Sequence, residues 1–357
     1  MGKKKNKKKA LRRTLTVVSI LLGLVLVALL GMTAYTEYLL DKVNYVDPEA
    51  TVPTLSQEQV EAVERETEAA DLEFEGEELD ENDVVLETVP EMEVDKEMVV
   101  NILLVGVDRR KNEEARSDSI ILCTFNKHTN TITLSSFMRD MYVRIPGYKS
   151  NRINVSYNLG GMKLLNKTIN ENFGVAADGI VEIDFANFEK LIDLLGGIEL
   201  NLNSKEANYI NQETGSKLKT GVQTLNGEQA LWYSRFRKDG GGDFNRTNRQ
   251  RTVLSVLLNR YKQLSLPELV GMMDEILPMV TTNMTKDEIL NHVKSLFPML
   301  AGAQIVAQQI PAEGSYNQAK INGMAVLVPN ISKNAKILAD IMYAPEETVP
   351  QITGGVG

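Results

Sequence analysis

Between Tyr233 and Arg251 the chain reads YSRFRKDGGGDFNRTNRQR, setting Arg235, Arg237, Arg246, Arg249, Arg251 and one lysine around three consecutive glycines. Guanidinium is always charged and forks onto phosphate oxygens, while glycine lets the backbone approach a bound anion. A solvated basic loop leading into a helix is the plainer alternative. Upstream, Asp108 ends the apolar run MVVNILLVGVD, and ARSDSIIL supplies Arg116 and Asp118 at the start of the next such run. Ligand groups in α/β folds commonly project from strand ends. If these two strands are neighbours, Asp108 and Asp118 converge at one sheet edge. Two carboxylates with few other ligands suit Mg²⁺, which keeps waters and accepts phosphate oxygens. Taken singly, each Asp is more often a turn cap. A third cluster holds Arg139, Asp140, Arg144, Lys149 and Arg152. Its structural reading pairs Arg139 with an acid and leaves the others solvated.

The helix expected from about 244 carries an apolar stripe at Val253, Leu254, Leu257 and Leu258. Counting back by helical steps puts Gln250 and Arg246 on the same inward face. An arginine near a helix N-terminus opposes the dipole unless an anion joins it, so this placement points to a phosphate site. Asp243 is evenly balanced between N-cap and catalytic group.

These residues need a frame, and the pattern predicts one beginning near residue 98. A buried strand at 98–108 is followed by a hairpin, SIILCTF and TITLSSF flanking NKHTN. NLGGMKLLNKTINENFG reads as a helix, GIVEID as a strand, FANFEKLIDLLGG as a helix and GIELNL as a further strand. NGEQALWYSR and RTNRQRTVLSVLLNRYKQ are helical, and TKDEILNHVKSLF opens with a capping box, Thr285 with Glu288. AQIVAQQI is a late strand and SKNAKILADIMY a closing helix. Strands alternating with helices predict one α/β domain in α/β/α layers, its central sheet mixed because of the hairpin.

The formal charge of −9 over 357 residues is distributed in blocks. Residues 1–13 are basic, residues 57–97 are strongly acidic, and the remainder is near neutral, so surface-wide nucleic-acid binding is not indicated. The single Cys123 excludes a disulfide within the chain and a zinc site built on cysteines. With only His128 and His292, a His-rich metal cluster is excluded and a Ser-His-Asp triad has little to build from. Neither GxxxxGK[ST] nor GxGxxG occurs, so nucleotide binding has no motif support.

Residues 14–36 hold no charge, and at about 1.5 Å per residue they span about 34 Å, enough for a bilayer core. The basic block before them keeps the N-terminus in the cytoplasm. The expected organisation is a cytoplasmic tail (1–13), a transmembrane signal-anchor helix (14–36), an acidic linker (37–97), an extracytoplasmic domain (98–345) and a C-terminal tail (346–357). The expected location is therefore the cell membrane, in a single pass.

Taken in order, NILLVGVD…ARSDSIIL, SSFMRDMYVRI, NRINVSYNLGG, VEIDFANFEKLIDLLGGIEL and LNGEQALWYSRFR…GDFNRTNRQR resemble the LytR-CpsA-Psr family of anchored cell-envelope proteins. The resemblance is strong over 98–262 and weaker to about 345. It implies a phosphotransferase joining a polyprenyl-pyrophosphate-linked anionic glycopolymer, of teichoic acid or capsule type, to peptidoglycan with release of polyprenyl phosphate. It implies Mg²⁺ or Mn²⁺ on Asp108 and Asp118. Arg116, Arg139, Arg235, Arg237, Arg246 and Gln250 match its pyrophosphate-binding positions, with Asp243 beside them; Arg249 and Arg251 match less closely. A sugar hydroxyl needs a base, for which Asp108 and Asp243 are both candidates. The lipid needs an apolar groove, expected between the sheet and the helices carrying LLNKTI and VLSVLLN. Implied partners are the lipid-linked glycan, peptidoglycan and membrane lipid, without nucleic acid. Hydrolysis of the lipid pyrophosphate, and a non-catalytic wall-binding or regulatory role, are the competing readings.

Overall fold

The computed structural model describes residues 34–47, 60, 63, 77–108, 116–237, 239–240 and 242–343. The side chains of Arg116, Asp118, Asp243 and Leu266 fall outside that description, as do the two terminal tails. Among the described residues no helix is long and apolar enough to cross a membrane. Residues 14–33 of the expected spanning run lie outside them, and its last three residues open a helical stretch at 34–40.

Two short strands come first, β1 (Asn44–Tyr45) and β2 (Glu77–Leu79). The long strands β3 (Val99–Asp108), β4 (Arg116–Asn126) and β5 (Thr131–Phe137) follow. A small ribbon of β6 (Tyr142–Val143) and β7 (Asn151–Arg152) leads into helix α1 (Ile153–Phe173). Then come β8 (Gly179–Asp184), α2 (Phe185–Leu194), β9 (Ile198–Leu202), α3 (Ser204–Thr214) and β10 (Gly221–Leu225). Helices α4 (Gly227–Arg235), α5 (Gly242–Tyr261) and α6 (Leu266–Ile276) precede β11 (Val280–Thr282) and α7 (Lys286–Leu300). Strands β12 (Gln304–Ile310), β13 (Tyr316–Ile321) and β14 (Met324–Pro329) and helix α8 (Ile331–Tyr343) complete the order.

Seven strands form the central sheet in the order β1-β11-β8-β3-β4-β5-β12. β3, β4 and β5 are antiparallel in succession, β8 runs parallel to β3, and β12 parallel to β5. The sheet is therefore mixed, as the hairpin predicts. The C-terminal ends of β3, β5, β8 and β12 and the start of β4 all lie at one end of it. The β4–β5 turn places Asn130 at φ 50°, a conformation asparagine tolerates.

Helices cover both faces. Leu103, Val105, Val107, Ile120, Leu122 and Phe137 on one face meet Leu165, Ile169 and Phe173 of α1 and Leu338 of α8 in a continuous core. On the other face Ile102, Ile121, Cys123, Ile132 and Leu134 meet α5 and α7. A neighbouring core joins α2, α3, α4 and α5 to the two-stranded β9–β10 sheet. GIELNL is thus a strand, but of that separate two-stranded sheet and not of the central sheet. α4 approaches α2 closely at Gly227: a Cβ there would sit 2.1 Å from the Glu189 carbonyl oxygen. The Gly227 amide donates to Asp193 Oδ1 at 2.8 Å. The capping box read at Thr285 is present, with the Thr285 amide donating to Glu288 Oε2 at 2.8 Å.

Two expectations change. Parts of the expected linker are built into the fold, because β1 pairs with β11, β2 pairs with β13, and Leu86 is buried against β13 and β14. Acidic composition predicts extension only where no sheet edge is free to accept the backbone. The helix carrying LLNKTI, α1, packs Leu165 and Ile169 into the filled face of the sheet and contributes nothing to the lining of the cavity described below.

Candidate functional site

The shared end of the strands gathers the residues singled out above. Asp108 ends β3 and pairs in register with Arg116 of β4. Gly106 faces Ser119 while Val107 faces Ser117, so Asp118 is the extra residue of a bulge. That register makes Asp108 and Asp118 diagonal neighbours across the strand pair. From the next helix layer, Arg235 at the end of α4 brings Nη2 to 3.4 Å from Asp108 Oδ2. Its guanidinium lies over the rings of Phe185 (5.1 Å) and Trp232 (5.4 Å). Arg139 follows β5 at the same end, its Nε 3.7 Å from Asp140 Oδ2.

Helix α5 descends from this end. At its lower terminus Lys262 donates to the carbonyl of Ala303, just before β12 begins. Arg246 is buried at 2% exposure in its second turn, above Val253 and Leu257, so the inward stripe is as the spacing predicts. Gln250, one turn further, faces the cavity described below. Arg237 follows α4, and Asp243 stands in the first turn of α5 with its side chain outside the described part.

The remaining basic residues divide clearly. Arg249 is structural: its Nε meets Glu206 Oε1 at 2.9 Å, Nη1 donates to the Phe236 carbonyl at 3.0 Å, and Nη2 reaches Asp239. It ties the glycine turn to α3. Arg152, 1% exposed, donates to the Ala325 carbonyl and lies 3.5 Å from Asp140 Oδ1. Arg144 donates to the Leu86 carbonyl. Arg152 therefore serves packing and is not solvated, whereas Arg144 stays exposed, as expected, while making that bond. Arg251 is buried, and loss of water pulls its pKa down to about 10.

Directly below the arginine-lined end lies a cavity of about 240 Å³. Leu104, Ile121, Val181 and Val280 form its sheet wall, and Phe185, Phe188, Leu191, Leu254 and Leu257 its helix wall. Ser119, Ser234 and Gln250 are its polar residues. Of the two helices expected beside a groove, α5 with VLSVLLN is correct. The second wall comes from α2 and α4, which the sequence reading missed. Phe185, Phe188 and Leu191, repeating along one face of α2, were the available signal.

The donor set fits a hard divalent cation. Asp108 and Asp118 offer oxygen alone, and among the described residues no group of three or more His, Cys, Asp or Glu could hold a metal by itself. Water and phosphate oxygens would supply the remaining ligands, the coordination Mg²⁺ favours.

A mixed-sheet α/β domain with guanidinium groups over an apolar cavity defines a protein suited to amphiphiles with an anionic head. The family model described as the LytR_cpsA_psr family matches residues 55–340, and the chain belongs to that family. The regulatory protein MsrR of Staphylococcus aureus (strain Mu50) is 32% identical over 251 residues, covering 68% of this chain and 74% of MsrR. The polyisoprenyl-teichoic acid–peptidoglycan teichoic acid transferase TagU of Bacillus licheniformis is 32% identical over 253 residues, covering 70% of this chain and 79% of TagU. Among solved structures, TagT bound to LIIa-WTA has a TM-score of 0.59 at 28% identity, covering 70% of this chain and 94% of TagT. TagT with bound octaprenyl pyrophosphate lipid gives 0.54 at 26%, covering 69% and 90%.

Proposed function

We propose that the chain is a membrane-anchored phosphotransferase. It would attach a polyprenyl-pyrophosphate-linked anionic glycopolymer to peptidoglycan and release polyprenyl phosphate. The observation that carries this reading is the stacking of an open apolar cavity under an edge holding Asp108, Arg139, Arg235 and Arg246. A prenyl chain matches the cavity, and a pyrophosphate matches the edge. TagU, named as a polyisoprenyl-teichoic acid–peptidoglycan teichoic acid transferase, and TagT, seen with octaprenyl pyrophosphate lipid, support it.

In this reading an acceptor hydroxyl attacks the glycan-side phosphorus. A new P–O bond forms, the P–O–P bridge breaks, and polyprenyl phosphate leaves with the bond's electron pair. Arg235, held against Asp108, and the buried Arg246 are placed to neutralise charge on the transferring and leaving phosphates. The hydroxyl proton passes to a carboxylate, Asp108 or Asp243. Mg²⁺ or Mn²⁺ held by Asp108 and Asp118 would add Lewis-acid stabilisation of the phosphoryl oxygens.

The test incubates the protein with a lipid-pyrophosphate glycan, peptidoglycan fragments and Mg²⁺, and follows both products by mass. Metal-dependent appearance of the glycan–peptidoglycan adduct, suppressed by Asp118→Ala and by Arg237→Ala, is expected. Release of polyprenyl phosphate without adduct would assign hydrolysis instead. Turnover unchanged in both variants would reject the site.

A further inference from the structure

The chain leaves the apolar run 14–36 and is almost at once fastened to the domain. Residues 34–40 are helical with Leu39 and Leu40 buried. β1 follows and pairs parallel with β11, Asn44 opposite Thr281 and Tyr45 opposite Thr282. The Val46 amide extends the pairing to the Thr282 carbonyl at 2.8 Å. Asn44 Nδ2 donates to the carbonyls of Pro278 (2.9 Å) and Val280 (3.2 Å). Lys42 Nζ meets Asp274 of α6 at 2.7 Å, and Lys286 of α7 meets Glu37 at 3.2 Å and also Asp41. Three elements of the domain therefore hold this short segment.

The place of attachment matters more than its strength. β11 is the next strand in from β1, and its first residue, Val280, is part of the cavity wall. Neighbouring strands lie about 4.8 Å apart. Thr36 precedes Asn44 by eight residues, which reach about 28 Å fully extended and less when half of them are helical. A free linker over 37–97 would instead wander about 45 Å on average. Tyr35, Tyr38 and Tyr45 project into solvent from the fastened segment. Tyrosine beside an apolar spanning run is a residue of the membrane–water interface.

We propose that residues 34–47 act as a strap that holds the β11 edge of the domain on the lipid bilayer surface, so that the cavity takes a prenyl chain directly from the membrane. The occupant of this face is the bilayer that the run 14–36 enters, and the inference rests on the reading of that run as membrane-spanning. The lipid is then loaded from the side, at the edge where Val280 lines the cavity.

The test uses the full chain in vesicles of phosphatidylcholine and phosphatidylglycerol (three to one). Two donors are compared, a long-chain lipid-pyrophosphate glycan embedded in the vesicles and a short-chain, water-soluble analogue. The triple variant Lys42→Glu, Val46→Pro, Lys286→Glu removes the ion pairs and the Val46 donor and touches no residue of the site. We expect its transfer from the embedded donor to fall at least tenfold, with transfer from the soluble donor within twofold of the parent. Equal rates on the embedded donor, or an equal loss on both donors, would overturn the proposal.

A second readout is independent of turnover. Tyr45→Trp, in a chain whose only tryptophan is removed by Trp232→Phe, should be quenched by lipids brominated near the headgroup. The strap variant should lose that quenching, and absence of quenching in the fastened chain would overturn the docking. If the parent chain turns over neither donor, the transferase reading fails, and the quenching still decides the docking by itself.

Discussion

The two faces of the central sheet use the same strands to different ends. On the α1–α8 face the alternate side chains of β3, β4 and β5 are met by partners of matching volume. Phe137 and Phe173 pack with ring centroids 5.5 Å apart, and both are buried. On the opposite face, between β8, β3 and the helices α2, α4 and α5, the apolar side chains stop short of one another and leave about 240 Å³. One face supplies cohesion. The other keeps room for a ligand, and forgoes the dispersion contacts that filling it would add.

This contrast breaks if stability and activity respond to both faces alike. Phe173→Ala should cost the fold about 3–5 kcal/mol, measured by denaturant titration, while turnover per folded molecule stays the same. Asp108→Asn should do the reverse. Turnover is expected to drop by about two to three orders of magnitude, about 3–4 kcal/mol of transition-state stabilisation, with the unfolding midpoint little changed. A filled cavity sharpens the comparison further: Leu254→Trp should weaken binding of a long-chain donor about tenfold while changing stability by less than about 1.5 kcal/mol. The smallest effect is expected at Cys123, on the α5–α7 face away from the cavity. Burial pushes its thiol up to about 12, so at pH 8 it is protonated, and labelling should proceed only as fast as the protein unfolds. Its contribution to stability is complete below the ordinary thiol pKa and is lost as pH rises toward about 12.

Periodicity made much of this frame legible. The continuous apolar run of β3 and the paired runs of β4 and β5 announced a buried mixed sheet. The stripe of α5 by itself places Arg246 inward. Strand partnership was harder. GIVEID and GIELNL follow similar patterns, yet β8 enters the central sheet and β9 pairs with β10. The difference lies in what each meets far along the chain. β1 was hidden for a related reason: it is two residues long, and its partner β11 lies more than two hundred residues away. The arginines illustrate a further limit. Arg246 and Arg249 sit one turn apart in one motif, and only the position of Glu206 and Asp239 marks Arg249 as a structural tie. The cavity was legible least of all. A sequence names the apolar residues of two layers, and says nothing of the space left between them.

The contact at Gly227 gives that space its dimension. Where α4 meets α2, hydrogen stands in place of a methyl group, and the two helices of that one wall close until one backbone touches the other. The shape of that wall is thus set at a point outside the cavity lining. Adding a single carbon at Gly227 would prise α4 from α2 and reshape the cavity, with every lining side chain unchanged.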